Sequence, residues 1–335
     1  KNANFEYVIA GFRLAKRLGL SFGLLPFSNI GYSYSNTKAL NSTDGSTSVV
    51  KATNTYSGTG GLHQVYLGLG WSPFKGFAIG VNAAYLWGDY SRSVINSYTD
   101  AYANTLSKYY TAEVHNYKLD FGMQYTQKIT KNDAITLGVT YGLGHKLSSD
   151  PKCQIISTNA QTAVADTATY SIGNGLELPH SYGVGLMWNH ANRWRVGADY
   201  TLQKWSSVAY PKFDTSTNSY ELVSGQFADR HKMTVGGEFC PDERSRSFFK
   251  RVHYRMGASY ATDYLKIKGQ NGPKEYSVSA GFGIPIVNGY NNRSLLNISA
   301  QWVRQDSKTF VTENSFRINI GLTFNERWFA KWKME

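Results

Sequence analysis

Cysteine is scarce: 335 residues carry two, Cys153 and Cys240. They allow one disulfide at most, and the strand layout read below puts them at opposite ends of the molecule, so they are expected to stay unpaired. Proline is also sparse, eight in all. Seven of these, Pro73, Pro151, Pro179, Pro211, Pro241, Pro273 and Pro285, fall in turns, loops or near strand ends, where a missing N–H does no harm. No run approaches 18 apolar residues, which excludes a transmembrane helix. It does not exclude membrane-crossing strands, because their alternation averages hydropathy towards zero; the mean hydropathy is −0.38.

Catalytic and metal-binding signatures are missing too. The one GxSxG match, GLSFG at 19–23, lies inside an expected strand and not at a strand-to-helix elbow, and there is no HxH, CxxC or HExxH spacing. Of the seven histidines, at 63, 115, 145, 180, 190, 231 and 253, most fall near strand ends or in loops. His253 is the main inward-facing candidate, and its expected neighbour is Glu238, not a serine. The chain is therefore read as a non-enzyme with no cofactor and no metal. The net charge of +12 is scattered through turns and inward positions instead of lining one basic face, so nucleic acid is not an expected partner. Contact with anionic lipid head groups, or a cationic lumen, accounts for it better.

What the chain has in abundance is alternation. In 134–143, Ile135, Leu137, Val139, Tyr141 and Leu143 share one face, and Thr136, Gly138, Thr140 and Gly142 share the other. The pattern returns at 117–125, at 194–202 and at 316–324. One face is long, apolar and ended by aromatics; the other is Gly, Ser, Thr, Asn and charge. Aromatics make up 15% of the chain and glycines number 32. This is the dyad pattern of a transmembrane antiparallel β-barrel, apolar to lipid and polar to lumen, and it runs through 1–335 without a linker, as one outer-membrane domain. Trp71, Trp87, Trp188, Trp194 and Trp302 are read as interfacial anchors on the lipid face.

Strands are expected at 4–13, 18–36, 62–73, 77–97, 111–130, 134–148, 178–190, 194–208, 229–240, 251–267, 274–287, 295–306 and 312–325. Short connections (15–17, 75–76, 131–133, 191–193, 241–250, 288–294) alternate with others, of which 37–61, 98–110, 149–177 and 209–228 are long and 268–273 and 307–311 shorter. Short turns to the periplasm and long solvated loops outside is the outer-membrane arrangement. The visible strands number 13, whereas single-chain bacterial barrels have an even count, so 14 are expected, with the first strand and any export signal ahead of Lys1.

Pro26 is the exception among the prolines. It sits inside strand 18–36, in LLPFSNIGY, where it removes a ladder hydrogen bond and should part this strand from a neighbour. Pro26, Phe27, Ser28 and Asn29 are the candidate lateral gap. A second candidate is the inward charge: Lys118, Asp120, Arg195, Asp199, Lys232, Glu238, His253, Arg255 and Arg317. Glu238 is expected opposite His253 and diagonal to Arg255. The set reads either as a stiffening ion-pair network or as a contact for an anionic ligand head group.

The stretches LLPFSNIGY (24–32), LHQVYLGLGWSPFKGFAIGVNAAYLWGDY (62–90) and FRINIGLTFNERWFAKWKME (316–335) resemble the long-chain fatty acid transporter (FadL) family, in its Bacteroidetes form. The resemblance implies a 14-stranded barrel, an N-terminal hatch in the lumen, a hydrophobic ligand, and a kinked third strand opening sideways into the bilayer. Counting the expected first strand, 18–36 is that third strand. Two functions are therefore expected. One is passive uptake of hydrophobic compounds such as long-chain fatty acids, with lateral release near Pro26. The alternative is a non-transporting subunit of a larger outer-membrane complex for secretion or protein assembly, with other outer-membrane proteins or lipoproteins as partners. The polar lumen positions temper the first, unless the hatch supplies an apolar lining.

Overall fold

The computed structural model describes residues 6–40, 49–267, 269–286, 294–306 and 312–324. Thirteen strands follow one another in a single antiparallel sheet. They are β1 (Val8–Ala15), β2 (Leu18–Leu40), β3 (Val50–Trp71), β4 (Phe77–Tyr98), β5 (Thr105–Lys128), β6 (Asp133–Gly142) and β7 (Ser181–His190). The remainder are β8 (Trp194–Gln203), β9 (Arg230–Phe239), β10 (His253–Ala261), β11 (Lys274–Ile286), β12 (Ser294–Asp306) and β13 (Glu313–Thr323). Each pairs with the next, and among the described residues β1 and β13 have one barrel neighbour each. The turn at 288–294 lies outside the described residues up to Ser294, and the loop at 307–311 and the C-terminal 325–335 lie outside them entirely.

Two faces with opposite exposure follow from the alternation. Leu67, Leu69, Phe121, Met123, Leu186, Val235, Val278 and Trp302 all point outward and are exposed. Contiguous apolar surface on this scale needs an apolar solvent, and lipid supplies it. Trp71, Trp188 and Trp194 belong to the same face. The opposite face closes on itself through small and polar groups: Ser57 with Ser93 at 2.6 Å, and Ser259 with Ser277 at 2.8 Å.

Strand length divides the molecule. Strands β6 to β10 have nine or ten residues, one bilayer crossing each. Strands β2 to β5 have 22 to 24 and run on well past the membrane. The loop expectation fails here. Leu40 still pairs with Val50, so the described parts of 37–61 are ladder. Within 149–177, Lys152–Thr158 pairs with the upper part of β5 and Ala165–Ser171 pairs with Lys152–Thr158. Within 209–228, Tyr210–Asp214 and Ser219–Val223 form a hairpin. Its Phe213 meets the Tyr170 ring at 5.2 Å. Outside lipid neither face has to be apolar, so through 37–61 and 149–177 the one-sided alternation fades and the ladder reads as loop, while β4 keeps enough of it to be expected at 77–97. At the other end, 241–250 includes most of a helical turn, Phe248–Arg251.

Candidate functional site

The wall changes character at Pro26. The β1–β2 ladder runs from Ala15↔Leu18 to Val8↔Leu24 and stops there. Beyond Leu24, β2 pairs only with β3 among the described residues. On the β3 side the register slips by one residue between Pro26 and Ser28, which makes Phe27 the extra residue of a bulge. Ser28 repairs part of the damage, its Oγ accepting the Leu62 backbone N–H at 3.2 Å. Asn29 stands opposite Gly61. The distortion crosses two more strands: Gly60 and Gly88 adopt φ of +108° and +143°, and a Cβ at Gly88 would collide with the Gly61 carbonyl oxygen. Sequence reasoning found the proline. The glycines in GTGG (58–61) and WG (87–88) were the missed signal, because alternation says nothing about backbone sign.

The nine inward charges do not form one cluster. Glu238 gathers three partners at the periplasmic end of the lumen: Arg195 Nη1 at 2.9 Å, His253 Nδ1 at 3.1 Å and Arg255 Nε at 2.6 Å. The register corrects the expected geometry, since Arg255 lies directly opposite Glu238 and His253 lies two residues further on, on the diagonal. Arg255 also donates to Asn297 Oδ1 at 2.6 Å, and Asn297 donates to Thr323 Oγ1 at 3.1 Å, so the network spans β8 to β13. Lys118 and Asp120 pair separately, two residues apart on β5. Asp199, Lys232 and Arg317 join neither group.

An apolar patch also lies on the inward face, at the extracellular rim, where sequence reading expected only small and polar groups. Leu86 of β4 and Val114 of β5 are fully buried beneath Leu147 and Leu178, with Leu62 and Leu176 packed against them. Leu147 and Leu178 come from His145–Leu147 and Leu176–Leu178, a short antiparallel pair that flanks the long loop. The same segment buries Cys153 completely. The two cysteines are free, as expected from their positions. Nearby, Lys204 Nζ meets Asp229 Oδ2 at 2.5 Å and the Ser206 N–H meets its Oδ1 at 3.0 Å. Burial raises the Asp229 carboxyl, but the hydrogen bonds from Lys204 and Ser206 outweigh it and hold the group down at about 2.

A family model described as BamG matches residues 1–335. No curated protein matches the chain. Among solved structures, the Ralstonia pickettii toluene transporter TbuX aligns with a TM-score of 0.59 at 12% identity, over 94% of this chain and 79% of that one. The Pseudomonas putida toluene transporter TodX aligns with a TM-score of 0.56 at 15% identity, over 94% and 80%. A Pseudomonas aeruginosa FadL homologue aligns with a TM-score of 0.50 at 13% identity, over 86% and 69%. At these identities the likeness is one of fold: an antiparallel barrel of the FadL type.

Proposed function

The chain belongs to the BamG family, and on that premise we propose that it is an outer-membrane barrel that serves as a fixed member of a larger assembly. It would present the tall sheet of β2 to β5 to a protein partner. One observation carries this reading: above Leu24, β2 extends through Leu40 with no partner on its β1 side among the described residues. Such an edge offers a row of unmet N–H and C=O groups, and natural proteins cover edges of this length or blunt them with charge. Only Lys38 supplies charge between Leu25 and Leu40. An added strand from another protein would satisfy the ladder and fix the partner in register.

A second reading draws on the same place. The stop in the ladder beside the Pro26 bulge is where a side opening in the wall would lie. The solved barrels of this fold include toluene transporters. On this reading the barrel passes hydrophobic compounds, long-chain fatty acids among them, down their gradient and releases them sideways past Pro26 to Asn29. The inward charges on β8 to β10 would then hold the lumen's shape or meet a ligand head group.

Gentle extraction of the native protein, followed by native mass spectrometry of the intact species, separates the two. A stoichiometric complex with other outer-membrane proteins or lipoproteins is the expected result. A lone barrel carrying a small apolar mass would overturn the assembly reading in favour of passage.

A further inference from the structure

We propose that Cys240, Glu243 and His253 form a transition-metal site, of the kind zinc occupies, at the periplasmic rim of the barrel. The ligand atoms of the three side chains lie within 4.8 Å of one another. In a tetrahedral zinc site with bonds of about 2.0 to 2.3 Å, ligand atoms stand roughly 3.3 to 3.8 Å apart. The three groups are therefore about 1 Å from coordination distance.

Each ligand is already aimed. Cys240 follows β9 directly, and its backbone N–H donates to Arg193 O at 2.9 Å. Its side chain is buried, with Sγ 3.8 Å from Arg251 O. His253 opens β10 and is also buried. Its Nδ1 faces Glu238 Oε1 at 3.1 Å. A carboxylate only accepts, so Nδ1 carries the proton and Nε2 keeps its lone pair for a metal. A histidine oriented by a carboxylate on its other nitrogen is the usual second tier of a metal centre. Glu243 sits in the turn between the strands, brought back by the Asp242 N–H donating to Lys250 O at 2.9 Å. Arg195 bridges the two acids, 2.9 Å from Glu238 and 4.0 Å from Glu243.

Donor chemistry narrows the ion. One sulfur, one imidazole nitrogen and one carboxylate oxygen suit a borderline-soft divalent ion and not Mg2+ or Ca2+, which demand oxygen. Three protein ligands leave a fourth position for water. The bound ion would tie the 241–250 turn, with its exposed Phe248 and Phe249, to the Glu238 network. The sequence hides the site because its ligands stand three and ten positions apart, on a strand end, a turn and a strand start.

The test is a titration of the full chain, purified in mild detergent under reducing conditions and stripped by chelator, with Co2+ alone. The expected result is one equivalent bound, a thiolate-to-cobalt charge-transfer band in the near ultraviolet, and displacement by Zn2+. Cys240→Ser should lose the band while Cys153→Ser keeps it. Glu243→Gln, at an exposed turn position where folding is not at stake, should weaken binding by about tenfold or more. A wild-type protein with a free, reduced Cys240 and no charge-transfer band would overturn the proposal. So would a band that disappears with Cys153→Ser and survives Cys240→Ser.

Discussion

Pro26 has no N–H to give, and its ring fixes φ near −65°, so a strand cannot run through it with its ladder intact on both sides. The β1 ladder ends two residues earlier, and the β3 ladder absorbs the rest by bulging at Phe27. Valine at this position restores the donor and a branched side chain suited to a strand. If the kink keeps the wall ajar, Pro26→Val closes it by about one hydrogen bond, near 1 kcal/mol, and lowers the open population about fivefold. Uptake of toluene or a long-chain fatty acid by cells carrying the variant should fall by a similar factor. Unchanged uptake at equal expression would leave Pro26 as a bend in the wall and nothing more. The proline was legible because it breaks an otherwise regular alternation. Ser28 was not singled out within PFSN, because its value lies in a long-range bond to the Leu62 N–H that no local pattern encodes.

At the scale of elements, strands that cross lipid were readable in number and position, since one wet and one apolar face force a period of two. The ends of β6, β8 and β10 nevertheless fall five or six residues short of their expected ones. The observed β8 to β13 begin within about two residues of their expected starts. The extracellular continuations of β3 and β5 were not readable, nor the last four residues of β2, whereas β4 was expected at 77–97 and ends at Tyr98. Once both faces leave lipid, the alternation has no cause, and Ser, Thr, Asn and Tyr serve a wet strand as well as a loop. The charged positions were found by parity, yet only Arg195, Glu238, His253 and Arg255 meet in one network, with Lys118 and Asp120 a separate pair, because parity fixes the face and not the height. The 204–229 segment gives a pH prediction at this scale. Asp229 is held down at about 2 in the folded chain, against an unfolded carboxyl near ~3.9. A depressed folded value means the Lys204–Asp229 link contributes fully above pH ~4 and is lost as pH falls towards 2. Hydrogen exchange at 204–229 should therefore show protection at pH 5 that is lost at pH 2.5, while β7 and β8 stay protected. Equal protection at both pH values would mean that stacking of Trp205 on Tyr264, at 4.4 Å, holds the segment instead.

The whole molecule poses a question of parity. Twelve successive antiparallel pairings make β1 and β13 run in the same direction. Direct contact between them would be a parallel seam in an otherwise antiparallel wall, and single-chain bacterial barrels avoid this by keeping an even count. Exposure marks β13 more than β1: Phe316, Ile318 and Ile320 are 66% to 73% exposed, whereas Phe12 on β1 is 44% exposed, the same as Phe121 inside the wall. A fourteenth, ascending strand between β13 and β1 would cover both edges. It would also stand beside the β2 edge that gives the molecule its assembly reading, since the top of β1 ends where that edge begins. An intervening strand sets β1 and β13 two strand spacings apart, about 9 to 10 Å, beyond the ~7 Å between Cα atoms that a disulfide spans. In a Cys153→Ser, Cys240→Ser background, pairs combining Phe12→Cys with Ile318→Cys or Ile320→Cys should therefore resist oxidative cross-linking in native membranes. Ready cross-linking at one register would establish a closed thirteen-strand wall with a parallel seam. That closure would pin β1 against β13 and leave the β2 edge above Leu24 as the one place where the wall could admit a partner strand or release a ligand.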